Sequence, residues 1–278
     1  MRYNSPVILE EFIKWEKAFA KTVPYLEPPS GLYFGFTEAS GGYMCTPVDS
    51  YTFARTGADG EHFALLTDFG LHKNLEHAPV IRVFPMNLDA TLNVRIVARN
   101  IRDFLWLLLY HEPLLMNDYD SEEEYLAFRK KEELEDHSTD YFNHKLWLEQ
   151  RELVKQAAQQ TFQLPQIRNP YQYIKELREE REHQVVLKTK DTLGIIPVSN
   201  HNVVPPHPWA QEKELPYKLL DELELFFDSA PLETKLAFIR DYQAEYIQDT
   251  NSLLLICKDL ERNGFTRESN MLRACMDI

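Results

Sequence analysis

The chain has 278 residues, 44% of them hydrophobic and 27% charged, with 44 acidic against 30 basic side chains and a net charge of −14. That length buries a core without staples, that composition is globular rather than disordered, and that charge argues against a nucleic-acid partner, whose phosphates call for Lys and Arg. The longest apolar run, Phe104 to Tyr110, is far too short to span a bilayer, and three widely spaced cysteines, Cys45, Cys257 and Cys275, fit neither a disulfide framework nor a zinc spacing.

At the N-terminus acidic residues stand where a signal peptide would be apolar, so a cytoplasmic location without a membrane partner is expected. Ser5-Pro6 is a helix start, and Ile8, Phe12, Trp15 and Phe19 fall on one face of a helix that ends near Lys21. Pro28-Pro29-Ser30-Gly31 breaks the chain before a strand at 32–36, which closes at Ser40-Gly41-Gly42, and a short strand at 43–47. Tyr51 to Arg55 and Glu61 to Leu66 alternate as half-buried strands do, around a Thr56-Gly57-Ala58-Asp59-Gly60 loop suited to a tight hairpin. Strands at 80–84 and 92–97, joined by a Met86-Asn87-Leu88-Asp89 turn, extend the sheet. A helix from near Asn100 has so broad an apolar face that it packs against the sheet and something else.

Beyond His111-Glu112-Pro113 the character changes. The spacing of Ser121 and Glu124 predicts a capping box and a helix towards Glu135. Further helices are predicted over 139–162, with Leu146, Leu153 and Ala157 among its apolar positions, and from Asn169-Pro170 through Glu182. Residues 184–187 and 193–198 read as a hairpin, and 204–209 as a proline-rich connector. Helices follow at 215–227, 231–248, 252–263 and 267–276, the third capped by Asn263-Gly264. The predicted class is α+β: an N-terminal helix, an antiparallel sheet with a closing helix, then a mostly helical part with one inserted β-hairpin. The division is placed at 1–112 and 113–278, the second part packing either separately or as one unit with the first.

Candidates for chemistry are few. Asp59 and His62 supply the residue types of half a triad, yet no nucleophile signature accompanies them, and a turn Asp and a strand His account for both. Gly57 to Glu61 lacks the ligand alternation of a calcium loop, and Gly31, Gly35, Gly41 and Gly42 lack the Lys-Ser or Lys-Thr of a phosphate loop. The pairs His72 and His77, and His137 and His144, lack metal-ligand spacing, and His201 and His207, which could approach one another in a loop, read rather as part of a surface connector, so no catalytic residue, metal or cofactor is expected. Arg240-Asp241-Tyr242-Gln243 reads as a local ion pair or a solvated helix face. From Glu112 to Asp136 ten acidic residues stand against three basic ones, half of the chain's excess. Asp118, Asp120, Glu122, Glu123 and Glu124 in that segment form either a solvated helix face or a surface that steers a basic protein partner.

The N-terminal helix, the Gly-rich meander and Thr46-Pro47 leading into FARTGADGEHFALLTDFG at 53–70 resemble the SUKH superfamily. A strand from Val80 to Met86 and a closing segment at 96–109 match it as well. The resemblance covers about residues 6–111 and is carried by Thr46, Pro47, Phe53, Thr56, Gly57, Asp59, Gly60, Phe63 and Leu66, which read as fold-forming. It implies an α+β domain without enzymatic activity. Many bacterial members are immunity proteins that bind and neutralise toxins of polymorphic toxin systems, and others are scaffolds or regulators. The expectation is therefore a non-enzymatic protein-binding domain, an immunity protein against a basic toxin. A scaffold whose helical C-terminal half mediates assembly is the alternative, and a hydrolase using Asp59 and His62 is a third reading.

Overall fold

In the computed structural model, which describes residues 3–36, 42–87, 89–198, 204–215 and 220–275, the N-terminal part is an antiparallel meander. Predicted features at Ser40, Gly41, Leu88, His201 and Met276 lie outside the described residues. Helix α1 (Val7–Phe19) has Pro6 itself at the N-cap, while the Ser5 hydroxyl, expected to cap it, is buried without a hydrogen bond. Strands β1 (Tyr33–Phe34), β2 (Ser50–Arg55), β3 (His62–Leu66), β4 (Val80–Val83) and β5 (Val94–Ala98) pair in chain order. One helical turn, α2 (Ala90–Asn93), takes the start of the last predicted strand.

The β2–β3 loop is the turn its residues demand. Gly57, Asp59 and Gly60 all have positive φ, and a Cβ at Gly60 would collide with the Tyr43 ring. The strands themselves are not half-buried, because both are covered on two faces. On one side Phe53 and Phe63 meet Phe104 of α3 (Ile101–His111), with ring centroids 5.1 and 4.9 Å apart. On the other, His62 bonds Thr46, so residues 43–48 lie over it. Those residues form turns instead of the expected strand, for a physical reason. Gln243 satisfies their backbone, donating to the carbonyls of Met44 (2.9 Å) and Thr46 (2.8 Å) and accepting from Val48 N (3.2 Å).

Helix α3, capped by the Asn100 side chain, is buried on nearly all sides, as its broad apolar face requires. Short α4 (Pro113–Met116) and α5 (Glu122–Leu134) follow. At the start of α5, Ser121 Oγ accepts from Glu124 N at 3.1 Å, and the Glu124 carboxylate accepts from Asp120 N at 2.8 Å. Helix α6 (His144–Phe162) lays Val154, Ala158 and Phe162 into the core, leaving the predicted apolar positions Leu146 and Leu153 exposed. Helix α7 (Pro170–Gln184) covers the edge strand β5. Its Tyr173 hydroxyl accepts from Arg99 N (2.8 Å) and donates to Asp103 (2.7 Å). The first core thus runs on past residue 112, where a division was expected, to include Val154, Phe162, Ile174 and Leu177. The inserted hairpin is a narrow one, closed by a single bridge between Leu187 and Ile195.

Helices α8 (Leu220–Ser229), α9 (Leu232–Ala244), α10 (Thr250–Arg262) and α11 (Thr266–Ala274) enclose a second core in which Trp209, Phe226 and Phe227 pack on Phe238. Helix α11 is tied to β2 by Arg267, which donates to the carbonyls of Val48 and Ser50 and lies 3.4 Å over the Tyr51 ring. Among the described residues no helix is long and apolar enough to cross a membrane.

Helix α9 overturns the solvated-face expectation. Arg240, Asp241, Tyr242 and Gln243 are all buried. The Arg240 guanidinium contacts Asp49 at 2.8 Å, Asp191 at 3.2 Å and Asp68 at 3.8 Å. Arg181 grips Asp68 with two bonds of 2.8 and 2.6 Å. Three buried carboxylates therefore face two guanidiniums. Burial pushes the Asp49 carboxyl up to about 6 although Arg240 pulls it down, and its Oδ1 has no partner. Asp68 lies well below the ordinary range, because bonds from His72 and Arg181 and the nearby guanidiniums outweigh its burial.

Removing one partner from a buried cluster leaves uncompensated charge. Arg240→Met is expected to lower the unfolding free energy by about 3–5 kcal/mol in urea titration, and adding Asp49→Asn to recover part of the loss.

Candidate functional site

Asp59 and His62 do not come together as a catalytic pair. Asp59 is exposed at the loop tip with φ of 51°, while His62 is fully buried in β3. His62 Nδ1 lies 2.7 Å from the Gly60 carbonyl, which can only accept, so Nδ1 carries the proton and Nε2 accepts from the Thr46 hydroxyl at 3.1 Å. Both ring nitrogens are engaged, and Thr46, Gly60 and His62 form a lock between the hairpin and the segment laid across it. Of the other resemblance-bearing residues, Phe53, Phe63 and Leu66 are in the core, Pro47 is buried, and the Thr56 hydroxyl closes the hairpin loop on Ala58 O at 3.0 Å.

Of the paired histidines, His137 and His144 meet edge to face with ring centroids 5.0 Å apart, and the His137 backbone N–H donates to His144 Nδ1 at 3.3 Å. His207, expected in a surface connector, is buried and bonds Asp241 at 3.0 Å. Glu132, Glu135 and His137 each bring one ligand atom within 4.8 Å of the others, but all three are exposed, and exposed acidic groups commonly gather so without an ion.

The acidic segment is partly spent on internal contacts. Asp118 pairs with Arg178 at 2.7 Å and Arg95 at 3.4 Å, Glu122 accepts from Asn169 at 3.0 Å, and Glu124 bonds Asp120 N. Asp120 and Glu123 are exposed. What the charge pattern did not disclose is the apolar surface beside it. Helix α5 buries only Tyr125, whose hydroxyl lies 2.6 Å from His111 Nδ1 and 3.1 Å from Arg129 Nη1. Burial, with Arg129 and Lys155 nearby, holds His111 down at about 4, so it is neutral and accepts. Farther along the chain Leu134 is 76% exposed, Tyr141 in the following loop 97%, and Leu148 of α6 49%. A groove of about 540 Å³ runs between α5 and α6, lined by Leu109, Pro113, Phe128, Trp147 and Leu148 with glutamates along its rims. The signal for it was present in α6: consecutive apolar residues such as Trp147-Leu148 and Leu153-Val154 point to different helix faces, and one core cannot take both.

Chemically, this surface presents exposed apolar side chains beside an acidic segment. No protein-family model matches the chain, and no curated protein is similar to it.

The buried lock has a measurable signature. Burial holds His62 down at about 4, against 6.5 when solvated. The unfolded chain therefore takes up a proton between those values that the folded one refuses, and the stability due to His62, complete above pH 6.5, declines as pH falls to about 4. Asp49, pushed up, has the opposite slope over much of that range. The readout is thus the difference between wild type and His62→Gln in unfolding free energy from urea titration, expected to shrink by about 3 kcal/mol from pH 7 to pH 4.

Proposed function

We propose that the chain is a non-enzymatic, cytoplasmic protein-binding protein of the SUKH type, an immunity protein that occludes a basic toxin domain with its α5–α6 surface. The observation that carries this reading is exposed Leu134 within the segment of ten acidic and three basic residues, followed by exposed Tyr141 and Leu148 just beyond it. Apolar contact supplies affinity, and the negative field speeds encounter with a positively charged partner and discriminates against acidic ones. The sheet and its lock hold the surface and take no part in chemistry.

Exposed Leu225 (74%) on α8 and Leu254 on α10 favour one alternative, a scaffold that assembles through its helical C-terminal half. Under that reading full-length protein forms a concentration-dependent oligomer in sedimentation, and Leu225→Asp dissolves it.

The immunity reading is tested by co-expressing the chain with the product of each neighbouring gene and following growth. Arrest by one product, relieved by this chain, is the expected result. Combining Glu123→Lys with Leu148→Asp is expected to weaken binding of that product at least about tenfold, about 1.4 kcal/mol, and to reduce survival. Arrest by none of the products, arrest that this chain does not relieve, or full protection by the double variant would count against it.

A further inference from the structure

We infer that the α5–α6 groove takes a basic amphipathic α-helix presented by the partner, an inference that rests on the protein-binding reading above. The groove exists because its two walls are committed elsewhere: α5 packs on α7 and is anchored to the end of α3 by Tyr125, while α6 packs on α3. Two helical walls over an apolar floor of Leu109 and Pro113 leave the place of a third helix open. No strand edge borders it, so an added β-strand finds no ladder there among the described residues. Helix α6 lines the groove from His144 to Lys155, a wall about 18 Å long, enough for about three turns of an occupant.

Charge fixes the character of that occupant. Five glutamates line the groove against Arg129, Arg151 and Lys155. The three bases are already engaged: Arg151 with Glu112 at 2.8 Å and over the Trp147 ring, Arg129 with Glu133 at 3.5 Å, Lys155 with Glu152 at 3.6 Å. Glu132 on α5, 3.9 Å from His137 Nε2, and Glu149 on α6 remain as the excess over these three bases, one on each wall. A helix whose apolar stripe is flanked on both sides by Lys or Arg satisfies the floor and both rims at once. An acidic or uniformly apolar helix satisfies only the floor.

The test uses the full chain and a fluorescein-labelled model peptide of about 14 residues, leucines at helical spacing and lysines elsewhere, followed by anisotropy at about 0.15 M salt. Its counterpart has glutamate for every lysine. Binding of the Leu/Lys peptide is expected, weakened at least about tenfold by Leu148→Asp and likewise by Glu132→Lys with Glu149→Lys, and unchanged by Leu225→Asp on the distant α8. Circular dichroism verifies that each variant is folded, and the two groove variants test the same site independently. Equal binding of the Leu/Glu peptide, or indifference to both groove variants, overturns the inference. If the peptide fails while growth protection holds, the helical occupant falls and the protein-binding reading stands; if protection fails while the peptide binds at the groove, the toxin partner falls and the groove stands.

Discussion

Helix α9 lies in the interior and is polar along much of its length, a combination that is stable only if nearly all of its polar groups find partners. The rest of the molecule is arranged around meeting that demand. Thr234 donates to Pro205 O, Lys235 pairs with Asp259, Asp241 accepts from Lys190 N and bonds His207, and Gln243 satisfies three backbone groups of residues 44–48. Arg240 reaches furthest, into a turn after β3 where Asp68, Phe69 and Gly70 all have positive φ. Two non-glycine residues in that conformation are costly, and Asp49 holds them, accepting from Phe69 N with its carboxylate and from Thr67 with its carbonyl. Such a buried cluster contributes little net stability over an apolar one, but it admits few alternative arrangements.

What could be read in advance, and what could not, follows from the range of the interactions. The β2–β3 turn, the caps at Asn100, Ser121, Asn169 and Asn263-Gly264, and the apolar breadth of α3 depend on neighbours a few residues away, and their residues announce them. The turns at 43–48 depend on Gln243 and the two-sided burial of β2 and β3 on residues far along the chain. Arg240-Asp241 has the look of a surface pair because its true partners, Asp49, Asp68, Asp191 and His207, are scattered over the sequence. In α6 the local pattern contained the apolar residues but not which face the core would claim, since that was decided by α1 and α3.

The contrast between the two histidine environments separates scaffold from surface. His62 is sealed, with both nitrogens used to pin Thr46 and the Gly60 turn. His111 is used at the rim, where with Tyr125 and Arg129 it attaches an otherwise exposed helix. A rigid interior thus supports a helix held at few points, and such an element can adjust to a partner at small cost to the fold.

The long reach of Arg240 also sets an order of events during biosynthesis. Asp49 and Asp68 emerge from the ribosome well over a hundred residues before the guanidinium that neutralises them, and Arg181 arrives between the two. Until α9 is released, the turn after β3 has buried carboxylates without their full counter-charge and residues 44–48 have no Gln243 to satisfy their backbone. The meander can pair early, but its outer layer settles only when nearly the whole polypeptide has been made, so a truncated product carries an unfinished sheet rather than a smaller version of the finished protein.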